Sequence, residues 1–467
     1  MLMSEYHDWA KRLVDWTVQY YEGLRERPVR SPAQPGDTLH QLPLAPPETG
    51  EDMAEIFKDF ERIVPEGMTH WQHPRFFAYF PANTTPPSLL AEQLVSAIAA
   101  QCMLWQTSPA ATEMETRMVE WMRQALGLPE NLRGVIHDSA SSATLAAVLT
   151  MRERALDWAG IKSGAAGQGQ PRIYASAQTH SSIDKAVWIA GIGQDNLIKI
   201  ETDGNWSMKP DALAAQIKSD RATGYLPAGI VACTGGTSIG ACDRIDAIMD
   251  IAETEGLYVH VDAAWAGSAM ICEEQRVHWR GVERADSIVF NPHKWLGAQF
   301  DCSIQFLRHP EEQVRTLGLR PDYLETLGQD EIVNYSEWTV PLGRRFRALK
   351  LWFLIRSYGL EGLRGRIRNH IAWAKLAEQR IAALPGFTIT SNSRFSLFSF
   401  RWEPEGRDGD EASMALLEAI NDDGRIYLTQ TKHRGDFVIR FQVGQFETRR
   451  EDVETAIAVI EEISTRI

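Results

Sequence analysis

Six short apolar runs, "GVIHD", "RIYAS", "NLIKI", "GIVAC", "LYVHVD" and "SIVF", punctuate residues 134–290 and alternate with helical stretches. Runs rich in Val and Ile, without polar residues at every second position, belong to strands covered on both faces. Their alternation with helices predicts an α/β fold with a mainly parallel sheet. The glycine-rich "SGAAGQGQP" at 163–171 reads as a surface connector within this domain.

Around that domain the patterning changes. Tyr6, Trp9, Ala10, Leu13, Val14 and Thr17 fall on one helical face, and a Pro-rich connector, "RPVRSPAQPGD", follows them. A second amphipathic helix, "TGEDMAEIFKDFERIV", has Thr49 as its candidate N-cap. Two helices joined by an extended arm cannot enclose a core, so they are expected to lie against the main body or a second subunit. Beyond about residue 350, a long helix, the runs "FTIT", "SLFSFRW", "RIYLTQ" and "DFVIRFQV", and a closing helix predict a smaller α+β domain. The expected division is 1–85, 86–350 and 351–467.

The formal charge of −14 and the lack of any long Lys/Arg run speak against nucleic acid or an anionic membrane as partner. No apolar stretch is long enough to span a bilayer, and "MLMSEYHDWAKRL" lacks the basic end and apolar core of a signal peptide, so a cytoplasmic location is expected. The five cysteines are scattered without CxxC or CxxxC spacing, which indicates neither a disulfide framework nor a structural zinc site.

Ligands of open α/β sheets bind beyond the carboxyl ends of the strands, and here those ends carry distinctive groups. After "GVIHD", the cluster "SASSATLAAVL" opens a helix, so Ser139, Ser141, Ser142 and free N–H groups form either a phosphate cradle or simply a good cap. There is neither a Walker sequence nor a GxGxxG. His180 follows "RIYAS", the small hydroxyl-rich turn "TGGTSIG" follows "GIVAC", and Asp262 ends "LYVHVD". Taken singly, His180 reads as an ordinary loop or core residue and Asp262 as a capping or metal-holding group. Lys294 stands in "SIVFNPHKWLG", just past the last strand, either solvated or held as a nucleophilic amine. Together an amine, a carboxylate, a ring-stacking imidazole and an anion cradle are what pyridoxal phosphate requires.

"HVDAAWAG", "NPHKWLG", "HSSIDKA" and "VPLGRRFRALKLWF", with "THWQHPRFFAYFPA" near residue 70, resemble the group II pyridoxal-phosphate decarboxylases of the aromatic-L-amino-acid type over nearly the whole chain. The resemblance implies the aspartate-aminotransferase-like fold (fold type I), with an N-terminal extension exchanged between the subunits of a homodimer, a seven-stranded large domain, a small C-terminal domain and an active site at the subunit interface.

It also implies roles. Lys294 would form the Schiff base with the cofactor, Asp262 would pair with the ring nitrogen, and His180 would stack on the ring. Ser139, Ala140, Ser141, Thr234, Ala264, Asn291 and His293 match positions around the cofactor. Relatives commonly read Ala-Thr where this chain has Ala232-Cys233 before Thr234. Tyr323 matches a loop tyrosine that returns a proton to Cα after carbon dioxide leaves, and relatives with Phe there release aldehydes. Trp71, Tyr79, Phe80, Pro81 and Ala82 match the wall of an aromatic substrate pocket, and Met103 matches a position supplied by the neighbouring subunit. Gly343 matches a position where Gly accompanies indole substrates in plant relatives. The expected reaction is decarboxylation of an aromatic L-amino acid (tryptophan, 5-hydroxytryptophan, DOPA, tyrosine or phenylalanine) to its amine. The alternatives are an aldehyde-forming decarboxylase-oxidase, a cofactor-binding protein without turnover, and a metal-dependent hydrolase using His260, Asp262 and His293. No metal is expected.

Overall fold

The computed structural model describes residues 2–319 and 332–467. The chain forms two compact units, 82–371 and 1–81 with 372–467, so the N-terminal segment groups with the C-terminal residues.

The larger unit is built on a seven-stranded sheet: β1 (Arg133–His137), β2 (Pro171–Ser176), β3 (Leu197–Ile200), β4 (Leu226–Cys233), β5 (Tyr258–Asp262), β6 (Ser287–Phe290) and β7 (Ser303–Leu307), in the order β1-β7-β6-β5-β4-β2-β3. Six of these are the apolar runs. The seventh, β7, pairs antiparallel with both β1 and β6, which makes the sheet mixed while leaving the other strands parallel. Its sequence, "SIQFL", escapes an apolar-run search because Gln305 interrupts it. Helix Ala140–Ala155 packs across β4 to β7. The carboxyl ends of β1, β2, β4, β5 and β6 therefore emerge along one edge.

One buried ion pair braces this unit. Arg344 Nη2 donates to Glu115 Oε1 at 2.6 Å and to the Ile136 carbonyl at 2.8 Å, while Nη1 donates to the Cys102 carbonyl at 3.2 Å. Both side chains are buried, and Glu115 Oε1 also accepts from the Ile136 N–H at 2.8 Å. Removing one partner strands the other charge without water. Arg344→Met is thus expected to cost about 3–5 kcal/mol, read as a lower urea midpoint. A double variant with Glu115→Gln should recover part of it.

The smaller unit carries an antiparallel sheet of β8 (Phe387–Arg394), β9 (Leu397–Trp402), β10 (Thr429–His433) and β11 (Asp436–Gln442), ordered β10-β11-β9-β8. Helices Gly409–Asp423 and Arg450–Ser464 close a core that includes Phe398, Phe400, Phe441, Ile420 and Ile457. The first N-terminal helix, Met3–Glu22, buries none of its residues and touches helix Met53–Gly67 through Trp9 on Phe57 and Trp16 on Phe60. The cap of the second helix is Asp52, which accepts from the Ala54 N–H at 2.8 Å, rather than Thr49. Leu13, Val14, Val18, Ile56 and Val64 stay exposed. Helix Ala348–Ala382 is interrupted at Gly359, whose φ of 63° with ψ of 166° is open only to glycine. Among the described residues, no helix is long and apolar enough to cross a membrane.

Candidate active site

A cavity of about 170 Å³ opens at the carboxyl edge of the larger sheet, and Lys294, Asp262, His180, Asn291 and Ser139 are among the residues that line it. Lys294 leaves the turn that follows β6. Its backbone N–H donates to the Asn291 carbonyl at 3.0 Å, and Asn83 Nδ2 donates to its carbonyl at 2.6 Å. The residues on either side are held as well. His293 Nδ1 accepts from the Cys302 N–H at 2.9 Å. Trp295 stacks on Trp265 at 5.0 Å and donates from Nε1 to His370 Nδ1 at 2.9 Å. Such a buried aromatic pair contributes about 0.5–1.5 kcal/mol beyond area burial, so the lysine stem starts from a rigid base.

Burial lowers the Lys294 amine below the ordinary lysine range, and the Asp262 carboxylate opposes part of that shift. A larger neutral fraction is what a nucleophilic amine requires. Asp262 ends β5, where Cys233 of β4 and Val289 of β6 flank it. Its Oδ1 accepts from the Ala264 N–H at 3.0 Å, which fixes the carboxylate plane.

Helix Ala140–Ala155 points its N-terminus at the cavity. Ser139 Oγ accepts from the Ser142 N–H at 3.2 Å, so this hydroxyl serves as the cap. The N–H groups of Ala140 and Ser141, both cavity-lining residues, have no hydrogen-bond partner among the described residues and carry the positive end of the helix dipole. His180 caps helix Ser181–Ile189, its Nδ1 accepting from the Ser182 N–H at 3.0 Å. Desolvation lowers its pKa, Asp262 opposes the shift and Lys294 adds to it. The ring is therefore neutral, and Nε2 carries the proton. An anion cradle, a carboxylate, an amine whose pKa burial lowers and a flat imidazole in one cavity fit a phosphorylated, aldehyde-bearing aromatic ring.

The turn after β4 differs from expectation in detail. Cys233 lines the cavity and Thr234 does not, because successive strand side chains face opposite ways. The Thr234 N–H donates to the Asp262 carbonyl at 2.9 Å, while its buried Oγ1 has no hydrogen-bond partner among the described residues. Gly235, Gly236, Thr237, Ser182 and Trp265 line the cavity too, unassigned from the sequence although "TGGTSIG" and "HSS" mark most of them. Ala264 belongs to the lining, whereas His293 sits beside it with its ring against Phe300 and its pKa pushed down to about 3 by burial and by Lys294.

The pocket-wall residues fall into two groups. In the smaller unit Trp71 stacks on Tyr79 at 5.9 Å, and Arg440 lies over Phe80, the neighbour of Pro81, at 5.3 Å. In the larger unit, Gln101 and Cys102 join the Gly343 and Met103 segments: Gln101 Oε1 accepts from the Arg344 N–H at 2.8 Å, and the Cys102 N–H donates to the Arg344 carbonyl at 2.9 Å. Next to Ala82, the Asn83 N–H donates to the His293 carbonyl at 2.9 Å. Tyr323 lies outside the described residues. No trio of His, Cys, Asp or Glu among the described residues is disposed to hold a metal, and His260 and His293 are both engaged in hydrogen bonds.

The model of the pyridoxal-dependent decarboxylase conserved domain matches residues 35–403. Tryptophan decarboxylase 2 of Oryza sativa is 36% identical, covering 98% of this chain and 94% of the relative. Phenylacetaldehyde synthase of Arabidopsis thaliana is also 36% identical, over 98% of this chain and 96% of its own length. Among solved structures, Oryza sativa TDC with PLP and tryptamine superposes with a TM-score of 0.96 at 34% identity, covering 100% of this chain and 99% of that one.

Proposed function

The chain belongs to the pyridoxal-dependent decarboxylase family, and from that premise we propose how its own residues run the reaction. It is a carboxy-lyase that uses pyridoxal 5′-phosphate to convert aromatic L-amino acids to amines and carbon dioxide. The observation that supports the assignment of roles is the meeting of Lys294, Asp262, His180 and the N–H groups of Ala140 and Ser141 around one cavity.

Bound there, the cofactor supplies a protonated aromatic ring that accepts the electron pair released from Cα. Asp262 keeps the ring nitrogen protonated. Lys294, its amine pKa lowered by burial, would hold the cofactor through its aldehyde. His180 would stack on the cofactor ring, and the N–H groups of Ala140 and Ser141 at the helix N-terminus would hold the phosphate. The pocket wall would orient the substrate so that its carboxylate is the group lost, which is a matter of positioning. Trp71, Tyr79, Phe80 and Pro81, with Ala82, Met103 and Gly343, are assigned to that wall. Because glycine at the position of Gly343 accompanies indole substrates in plant relatives, this reading includes tolerance of tryptophan and 5-hydroxytryptophan alongside DOPA, tyrosine and phenylalanine.

The active unit is a homodimer on this reading. Helices Met3–Glu22, Met53–Gly67 and Pro86–Ile98 expose Leu13, Val18, Ile56, Leu90, Leu94 and Ile98, apolar surface that a second copy would cover. A cytoplasmic location agrees with the cysteines, which form no disulfide among the described residues. The direct test incubates purified protein and pyridoxal phosphate with tryptophan, 5-hydroxytryptophan, DOPA, tyrosine, phenylalanine and glutamate, and measures amine and aldehyde together. Amine from the aromatic members alone supports the reading, and turnover of glutamate alone overturns it.

The similarity to phenylacetaldehyde synthase favours one second reading, aldehyde formation. Tyr323, as the acid that protonates Cα, decides between the two. Tyr323→Phe is expected to cut amine formation by roughly 10²–10⁴-fold, the usual contribution of a positioned acid, and to raise the aldehyde-to-amine ratio. Unchanged amine output would remove Tyr323 from the mechanism.

A further inference from the structure

Behind the cavity, between the sheet and helix Ala140–Ala155, lies a buried polar layer that the roles above do not use. His260 Nδ1 lies 2.5 Å from Ser287 Oγ, and its Nε2 lies 3.4 Å from Thr144 Oγ1. Gln305 Nε2 approaches the same Ser287 oxygen at 3.4 Å, and Gln305 Oε1 accepts from His137 Nε2 at 2.8 Å and from Gln313 Nε2 at 2.9 Å. All six side chains are buried. Burial lowers His260 to about 4, so its ring is neutral, with one nitrogen donating and the other accepting.

Except for Gln313, each member belongs to a segment that leads towards the cavity. His137 precedes Ser139 by two residues, and Thr144 sits early in the helix whose N-terminus faces the cavity. His260 lies two residues before Asp262 on β5, and side chains at that spacing share a face. Ser287 opens β6, which runs to Asn291 and Lys294. On β7, Ser303 Oγ donates to Asn291 Oδ1 at 2.7 Å. Apolar residues of equal volume would hold a helix to a sheet as firmly, because a hydrogen bond contributes little net stability and leaves a costly orphan when broken. What hydrogen bonds add is direction: they fix angles that apolar packing leaves free.

We propose that His260 is a positioning residue for the cofactor: by bridging Ser287 and Thr144 it sets the orientation of Asp262 relative to the Ala140 and Ser141 N–H groups. This rests on the cofactor reading above. The test titrates pyridoxal phosphate into cofactor-free protein, following absorbance, for His260→Leu, His260→Gln and Ser287→Ala, with thermal unfolding of the same samples. His260→Leu is expected to weaken cofactor binding by about 10–100-fold, the scale seen when outer partners of metal ligands are removed. It should also change the ratio of the bound cofactor's absorbance bands, and lower kcat with KM for the amino acid held within about twofold. His260→Gln, which keeps a donor and an acceptor, should restore part of each loss, and Ser287→Ala should reproduce a weaker form of it. Should His260→Leu fail to fold, Ser287→Ala and His260→Gln carry the test. Variants that melt lower but bind cofactor with unchanged affinity and spectrum would assign the layer a purely structural role and overturn the proposal. An unsubstituted protein that binds no cofactor would overturn the cofactor reading, and this inference with it.

Discussion

Lys294→Ala is expected to lower amine formation by roughly 10⁴-fold or more, on the scale of deleting a covalent nucleophile, while the protein stays folded. The loss follows from position: the amine is buried, its pKa is lowered, and it shares the cavity with Asp262 and His180. Folding should survive because the turn is held by other groups, through the Cys302 N–H to His293 and the Trp295 ring on Trp265. The cofactor should still enter, retained by the helix N-terminus but removable by dialysis. Borohydride treatment of the loaded proteins followed by mass spectrometry checks this directly. The unsubstituted chain should carry a covalent label at Lys294, and the variant none. Full turnover by the variant would exclude the proposed chemistry.

Asp262→Asn is expected to reduce kcat by roughly 10²–10³-fold, the cost of removing one preorganised electrostatic partner, with weaker cofactor binding. The exchange is nearly isosteric. Asn Oδ1 can still accept from the Ala264 N–H, now made at 3.0 Å, so the turn should persist. What changes is the group left for the cavity, a neutral amide in place of a carboxylate, which cannot stabilise a protonated ring nitrogen. There is a second consequence with a definite sign. The Asp262 charge raises the Lys294 pKa against the stronger effect of burial, so its removal lowers that pKa further. The rate should therefore fall although the free amine becomes more available, which separates the ring-nitrogen role from an effect through Lys294. Steady-state rates and cofactor titrations on the same preparation check both parts. An Asp262→Asn variant with unchanged kcat would remove this carboxylate from the mechanism.

Much of this arrangement is legible in the linear sequence wherever short-range periodicity carries it. Continuous Val and Ile runs mark six of the seven large-unit strands, and the Ser cluster marks the helix that Ser139 caps. Lys294 and Asp262 stand out because a charged residue at or just past the end of an apolar run is conspicuous. Three features are not legible in that way. β7 is hidden by Gln305, which reads as polar noise until its partners on β1 and β6, His137 and Ser287, are known. Cys233 and Thr234 cannot be told apart at the cavity without the facing of β4. The second-helix cap falls to Asp52 and not Thr49, a difference of three residues that cap geometry alone decides.

Local composition thus determined which residues could form strands, caps and a nucleophilic amine, because those properties depend on neighbours within one or two turns of chain. Only the tertiary structure decided how those groups behave. The lowered pKa of Lys294 comes from burial by distant segments and from a carboxylate on another strand. The tautomers of His180 and His293 are set by the N–H groups that reach them. The support of Trp295 by His370 joins residues 75 positions apart. Desolvation and hydrogen-bond direction depend on atoms that the fold brings together from far along the chain, and no window of sequence contains them.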